Sequence, residues 1–205
     1  MITPLQAANL ILADYEDSLT TESRLDIDGC QSAIVNLPNN PLILLIRGSD
    51  ERQDWVRNFT FVPEQAPGDS GVRWHRGFLE HSRIAYSWAR DKGIALVIGH
   101  SLGGACVQIV ATSLNVPGMA FAAPRALWAP PLVGKRPANE ALVTCYNRTD
   151  DLVCEVPLVT MGFDHAGVVN AMMPTEPHPG EDHRIANYIA LLEQAEAAAM
   201  RDGTL

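Results

Sequence analysis

A chain of 205 residues, of which 47% are apolar and 19% charged, has an ordinary globular composition and is long enough for one sizeable core. Its formal net charge of −9 argues against a nucleic-acid partner and against attraction to anionic lipid surfaces. Since no apolar run approaches the roughly 20 residues that a bilayer-spanning helix needs, no strong membrane binding is expected.

The first quarter of the sequence predicts a helix followed by two strands. Thr3 as a cap and Pro4 at the first helical position open a helix in TPLQAANLILADYEDS. Two strands are predicted in QSAIVNLPNNPLILLIRG, joined by the turn LPNNP. The run from Leu42 to Ile46 is apolar at every position, which is typical of a strand buried on both faces.

Strands and helices alternate through the rest of the chain, after a less regular stretch from Ser49 to Gly77. The predicted elements are a helix in FLEHSRIAYSWARDKG that ends at Gly93, a strand in IALVIG, a helix in LGGACVQIVATSLN, strands in VPGMAFAAP and ALVTCYNRTD, and a last helix in HRIANYIALLEQAEAAAM. This alternation predicts the α/β class, with a parallel sheet covered on both faces in a single domain over residues 1–205. The active site of such a sheet lies beyond the carboxyl ends of its strands.

Four cysteines have no paired spacing and lie within or beside apolar segments: Cys30, Cys106, Cys145 and Cys154. They are predicted to be free core residues, not disulfide partners or metal ligands. The N-terminal stretch has no basic leader, and its apolar run meets acidic residues. A cytoplasmic location is therefore expected by default, with secretion as the alternative.

The most informative motif is GHSLG, residues 99–103, a Gly-x-Ser-x-Gly pentapeptide between a predicted strand and a predicted helix. A turn this tight leaves no room for side chains two positions either side of the serine. It presents Ser101 as a nucleophile beside a helix N-terminus, whose free N–H groups stabilise negative charge. The alternative is a glycine-rich helix entry with Ser101 as its N-cap.

The segment GHSLGGA resembles the nucleophile motif of the class three lipases, the fungal-lipase-like branch of the α/β-hydrolases. Further segments resemble the family's in the family's order: LLIRGSDERQDWVRNFTF, WHRGF, FAAPRA and YNRTDDLVCEVP. The resemblance spans Ile34 to Ala190. It implies the α/β-hydrolase fold, with a central, mostly parallel sheet and helices on both faces in a minimal single domain. It also implies a serine carboxylic ester hydrolase that needs no cofactor and no metal.

The family's acid follows its nucleophile in the chain and precedes its histidine. Asp150 and Asp151 both follow the last predicted strand. Asp151 is preferred because it directly precedes Leu152-Val153, as in the family's Asp-Ile-Val. Asp150 is the alternative, and it otherwise suits a turn in which it satisfies local backbone N–H groups.

Three histidines follow the acid and are candidates for the general base. His183 opens the last helix, where the family has its base, and is preferred. His178, between two prolines, and His165, which resembles a second family histidine that is not the base, are the alternatives. His100 lies within the pentapeptide and cannot curl back to Ser101, so we expect it to pack there, beside the bound substrate.

Two groups are expected to stabilise the oxyanion of the tetrahedral intermediate. One is the backbone N–H of Leu102, directly after the nucleophile, and the other is Ser49 in the loop after the central strand. The resemblance implies that Ser49 donates through its backbone and through its hydroxyl.

The segment after Ser49 corresponds to the family's lid and begins with the charged run DERQD. Such a surface enters lipid only at high cost, so interfacial activation is not expected. Trp55 is expected to face an acyl pocket with its helical neighbours Val56 and Phe59, unless these three are core residues. The predicted substrates are short- to medium-chain esters.

The sequence departs from the family pattern at two places, and it leaves other functions open. Cys154 stands where the family usually has proline, and Ala126-Leu127 replaces the usual Val-Gly, which weakens the case for triacylglycerol as the substrate. The same residues would also serve a thioesterase or an acyltransferase. A non-catalytic hydrolase-fold binding protein is the third possibility. Nothing in the sequence indicates an oligomeric state.

Overall fold

The computed structural model describes residues 2–38, 40–48, 64–177 and 183–201. Its helices are α1 (Pro4–Tyr15), α2 (Arg76–Ala89), α3 (Leu102–Leu114) and α4 (Ile185–Arg201). Its strands are β1 (Ser23–Ile27), β2 (Cys30–Val35), β3 (Ile43–Ile46), β4 (Gln65–Pro67), β5 (Arg73–His75), β6 (Leu96–His100), β7 (Gly118–Phe121), β8 (Leu127–Trp128), β9 (Val143–Arg148), β10 (Phe163–Asp164) and β11 (Val168–Met172). Short 3-10 turns occupy Glu140–Leu142, Leu152–Glu155 and Val159–Met161.

The described part of the chain forms a central seven-stranded sheet in the order β1-β2-β3-β6-β7-β9-β11. The pairs β1–β2 and β2–β3 are antiparallel, and every pair from β3 to β11 is parallel. In the parallel register Ile46 lies opposite Gly99, and His100 lies opposite Phe121. The carboxyl ends of β3, β6 and β7 therefore meet at one edge, which confirms the predicted parallel sheet and brings the glycine–serine motif to its active edge.

Strand β3 is buried on both faces, as its unbroken apolar run predicts. Leu44 and Ile46 belong to the core that includes residues of α2 and α3, whereas Ile43 and Leu45 belong to the core that includes residues of α1 and α4. This alternation is the period of two that a pleated strand imposes. Helices cover both faces of the sheet, as expected for this class.

The first helix begins as the sequence predicts. The Thr3 hydroxyl accepts the Gln6 N–H at 3.2 Å, and the Gln6 side chain accepts the Thr3 N–H at 2.9 Å. Pro4 occupies the first helical turn, where its missing N–H costs nothing. This reciprocal cap fixes the start of α1, which packs on α4 through buried side chains such as Ile11 and Tyr188.

Several strands are absent from the sequence-based prediction. β4 and β5 lie at the end of the stretch expected to be irregular, and with β8 and β10 they form a small antiparallel sheet. β1 and β11 form the two ends of the central sheet. These strands are short or half-exposed, so they carry little of the hydrophobic periodicity on which the prediction rests.

The four cysteines are free and buried, which confirms their predicted role in the core. Burial raises the pKa of Cys106 and of Cys145 to about 12, so both remain protonated thiols at neutral pH. No helix within the described ranges is both long enough and apolar enough to cross a bilayer.

Candidate active site

Ser101 occupies a strained turn between β6 and α3. Its backbone has φ 61° and ψ −124°, in a region that residues other than glycine rarely adopt. Although Ser101 is the N-cap of α3, its side chain makes no capping hydrogen bond. Ser101 thus occupies the N-cap position, but its hydroxyl does not cap the helix as the alternative interpretation requires.

The two glycines of the motif allow the turn to pack against β3. A Cβ atom on Gly103 would lie 2.0 Å from the carbonyl oxygen of Ile46, and one on Gly99 would lie 2.7 Å from the carbonyl oxygen of Gly103. Real Cβ atoms do not approach backbone this closely. The predicted crowding across the turn is present, and the neighbouring strand adds to it.

Three side chains distant in sequence meet at this turn. The Nε2 atom of His183 lies 2.7 Å from the Oγ atom of Ser101, and Nδ1 lies 2.9 Å from Oδ2 of Asp151. Ser101, Asp151 and His183 are only 2%, 3% and 8% exposed. The hydrogen bonds therefore operate where water does not compete with them.

Asp151 is held as a carboxylate by several donors. Its Oδ1 atom accepts the backbone N–H of Val153 at 3.0 Å, and its Oδ2 atom accepts the hydroxyl of Tyr188 at 2.7 Å as well as the imidazole of His183. Burial raises the pKa of this carboxyl, but the hydrogen bond and charge of His183, with the other two donors, hold the pKa below its usual value. Asp151 is therefore ionised at neutral pH.

The contribution of Tyr188 is absent from the sequence-based prediction, which includes this residue only as part of the last predicted helix. Its hydroxyl donates to Asp151 and accepts the backbone N–H of Arg148 at 3.2 Å. Burial raises the pKa of Tyr188 well above its usual value, so the hydroxyl stays protonated and able to donate. A tyrosine on a buried helix face needs a hydrogen-bond partner, and that requirement is the signal that could have identified it.

His100 lies behind the histidine of this cluster. Its Nε2 atom is 2.8 Å from the backbone oxygen of His183, its Nδ1 atom is 2.9 Å from the hydroxyl of Tyr15, and only 2% of the residue is exposed. A ring that is buried and bonded in this way faces protein groups. Its position therefore favours the packing role, and contact of His100 with the substrate stays a prediction.

The alternative acid and one alternative base have other partners. The Asp150 carboxylate forms a double hydrogen bond with Arg148, at 2.9 and 3.1 Å. His165 lies 3.0 Å from the side-chain nitrogen of Asn147 and 2.9 Å from the carbonyl oxygen of Ala123. Asp150 and His165 are thus held by these other partners, and the imidazole that contacts Ser101 is that of His183.

Of the expected oxyanion groups, Leu102 lies within the described part of the chain. It is the first residue of α3, so its N–H is among those that the helix leaves without an internal partner. Ser49, Trp55 and the alternative base His178 lie outside the described residues. Within the described ranges, no group of three or more His, Cys, Asp or Glu side chains is arranged to hold a metal ion.

Comparisons with known proteins find a matching family model and related sequences. The family model "Lipase (class 3)" matches residues 43–161. The chain is 28% identical to a lipase of Rhizomucor miehei over 62% of this chain and 40% of that protein. It is also 28% identical to the secreted mono- and diacylglycerol lipase A of Penicillium cyclopium, over 74% of this chain and 52% of that protein. The chain thus spans about half the length of these curated relatives.

Solved structures show the fold. Lipase II from Rhizopus niveus superimposes with a TM-score of 0.64 at 16% identity, over 82% of this chain and 77% of that one. Its likeness, and that of other fungal lipases, confirms the α/β-hydrolase fold that the motifs implied.

The relatives overturn the expected cytoplasmic location. Lipases from Penicillium cyclopium, Penicillium camembertii and Fusarium solani are named as secreted proteins. The expectation depends on an N-terminal stretch without a basic leader, most of which forms α1, and Ala7, Ala8 and Ile11 of this helix are buried in the core. A segment that belongs to the folded domain carries no information about export. On the match over residues 43–161, with the fold and the serine turn in agreement, the chain belongs to the class 3 lipase family.

Proposed function

We propose that this protein is a serine carboxylic ester hydrolase in which Ser101, His183 and Asp151 act as a catalytic triad. One observation carries the proposal: a single imidazole lies 2.7 Å from the serine Oγ and 2.9 Å from the aspartate Oδ2. A serine hydroxyl is a weak nucleophile, and it needs a base that a carboxylate holds in the correct tautomer.

In this mechanism Oγ of Ser101 attacks the acyl carbon while Nε2 of His183 takes its proton. The Nδ1–H group of His183 donates to Asp151, which stabilises the imidazolium that forms. The N–H of Leu102, at the positive end of α3, and Ser49 stabilise the oxyanion. The imidazolium then protonates the departing alcohol, and a water activated by His183 hydrolyses the acyl-enzyme.

The proposed substrates are soluble esters with short- to medium-chain acyl groups. The support comes from the charged run DERQD after Ser49, where an oil-droplet enzyme needs an apolar docking face. Trp55 is proposed to face the acyl chain. The names of three relatives specify mono- and diacylglycerols, so partial glycerides belong in the substrate panel.

A chain-length series of chromogenic esters tests the proposal, with Ser101→Ala as the inactive control. The wild type should hydrolyse short esters, its rate should not jump when the substrate exceeds its solubility, and the Ser101→Ala variant should lose several orders of magnitude in kcat. A serine-reactive phosphonate followed by mass spectrometry should label Ser101. Faster turnover of a matched thioester would assign the machinery to a thioesterase, and inertness towards both esters and phosphonate would favour a non-catalytic binding protein.

We also infer that the protein is exported, because three relatives are named as secreted. Esterase activity measured in the culture medium and in the washed cells of the native host tests this inference. Activity confined to the cells would contradict it.

A further inference from the structure

A chain of three hydrogen bonds runs behind the catalytic cluster. The backbone N–H of Gly48 donates to the hydroxyl of Tyr15 at 3.1 Å, that hydroxyl lies 2.9 Å from Nδ1 of His100, and Nε2 of His100 lies 2.8 Å from the backbone oxygen of His183. Its four members come from α1, the end of β3, the end of β6 and the residues before α4. The chain therefore ties four elements together at the active edge.

The partners at its two ends set the direction of the chain. A backbone N–H only donates and a backbone carbonyl only accepts, so the Gly48 N–H donates a hydrogen bond to the Tyr15 hydroxyl and the His183 carbonyl accepts one from His100. Nε2 of His100 then carries the hydrogen, and its Nδ1 atom is the acceptor for the Tyr15 hydroxyl. One tautomer of His100 satisfies every bond in the chain.

Close packing at Gly48 makes this arrangement possible. A Cβ atom on Gly48 would lie 2.6 Å from the Tyr15 hydroxyl and 2.9 Å from the backbone oxygen of His100. The Arg47 guanidinium lies over the Tyr15 ring, 5.0 Å from its centroid, and adds a cation–π contact. The phenol is therefore held against the loop that leads into Ser49.

We propose that Tyr15 and His100 are positioning residues that keep the general base and the oxyanion loop in register. The inference rests on the proposed function. The side chain of His183 is held by Ser101 and Asp151, whereas His100 holds its main chain. Through Tyr15 the same chain of hydrogen bonds holds the backbone N–H of Gly48, the residue before Ser49. The general base and the oxyanion donors must be placed within a fraction of an ångström when the tetrahedral intermediate forms. Neither placement is needed to bind the ester.

Tyr15→Phe tests the proposal because it removes one oxygen and keeps the ring. We expect kcat to fall about tenfold with KM unchanged, since the loss concerns the transition state and not binding. Tyr86→Phe is the matched control, because Tyr86 is half-buried on the opposite side of the sheet and should retain both constants. Thermal melting of each variant shows that it is folded.

Substitutions at His100 separate positioning from packing. His100→Gln carries an amide that reaches the position of Nε2, so it retains a donor to the His183 carbonyl, whereas the shorter His100→Asn does not. We expect the glutamine variant to keep more of kcat than the asparagine variant. Equal losses in the two variants would overturn the proposal, as would a Tyr15→Phe variant with the kcat of the wild type.

A measurement without substrate distinguishes this inference from the proposed function. Long-range ¹H–¹⁵N NMR correlations of the imidazole rings should show His100 protonated on Nε2 and unprotonated on Nδ1, with the Nδ1 shift changing in Tyr15→Phe. A hydrogen on Nδ1 would overturn the chain of bonds even in an active esterase. If the wild type hydrolyses no ester, the proposed function fails. The tautomer of His100 still decides whether this chain of hydrogen bonds exists.

Discussion

The hydroxyl of Tyr188 and the imidazole of His183 converge on the same oxygen of Asp151. The two distances to Oδ2 are 2.7 Å and 2.9 Å, and the second oxygen accepts the N–H of Val153 at 3.0 Å. These three donors fix the orientation of the Asp151 carboxylate. Helix α4 thus supplies Tyr188 to hold the acid, and the base His183 lies just before the same helix.

Tyr188→Phe is expected to lower kcat roughly tenfold, because one hydrogen bond to a charged group is worth about 1.4 kcal/mol. The unfolding free energy should also fall by about 1–2 kcal/mol, since the Arg148 N–H loses its acceptor. Ester kinetics and urea unfolding measure the two effects. Tyr146→Phe is the control, because Tyr146 is a residue of β9 that stacks on Phe121 and lies outside the triad. Equal kinetic losses in both variants would refute the role of the Tyr188 hydroxyl.

Asp151 and Asp150 are neighbours, so the same substitution at each of them provides a matched test of which one is the catalytic acid. Asp151→Asn removes the charge that stabilises the imidazolium and offers His183 a group that favours the wrong tautomer, so kcat should fall by about four orders of magnitude. Asp150→Asn breaks the pairing with Arg148 and should leave kcat within about threefold of the wild type. Steady-state kinetics on folded protein measure both. A large kinetic loss in Asp150→Asn alone would reassign the acid.

Local signals in the sequence predict local structure well in this protein. The cap at Thr3, the apolar run of β3 and the glycine–serine turn each depend on a few adjacent residues, and each appears as expected. The preference for Asp151 and His183 depends on family motifs and chain order, and the structure brings His183 to Ser101 and Asp151 to His183. Their catalytic roles, like the single-domain assignment, remain predictions.

The remaining features depend on contacts between distant segments. Tyr15 reaches His100 and Gly48 only because α1 packs against α4 and the sheet. Strand β4 is three residues long and is defined by pairing with β5, not by a periodic pattern. Neither spacing nor composition encodes such contacts, because they are set by how elements dock.

Gly103 and Gly93 provide a test of the packing at the serine turn. Gly103→Ala places a methyl group where the Ile46 carbonyl oxygen would lie 2.0 Å away, so strand and helix must separate. We expect a loss of about 3 kcal/mol or more in unfolding free energy. Gly93→Ala meets no atom within 4 Å and suffers only from its φ of 71°, at about 1 kcal/mol. Urea unfolding of the two variants measures the difference, and equal losses would contradict the packing argument.

The lowered pKa of Asp151 predicts how stability depends on pH. Because the pKa of the folded protein lies below the ordinary value of 3.8, the carboxylate stabilises the fold at every pH above that value. The contribution is lost as the pH falls through the lower pKa of the folded state. Asp151→Asn cannot ionise and lacks this contribution at any pH.

The difference in unfolding free energy between the wild type and Asp151→Asn should therefore be largest near neutral pH and should shrink as the pH falls below 3.8. The other acidic groups titrate in both proteins, so their effects largely cancel in the difference. Urea unfolding at a series of pH values measures it. A difference that stayed constant, or that grew, as the pH fell below 3.8 would mean that the pKa of Asp151 is not lowered by His183 and its other donors.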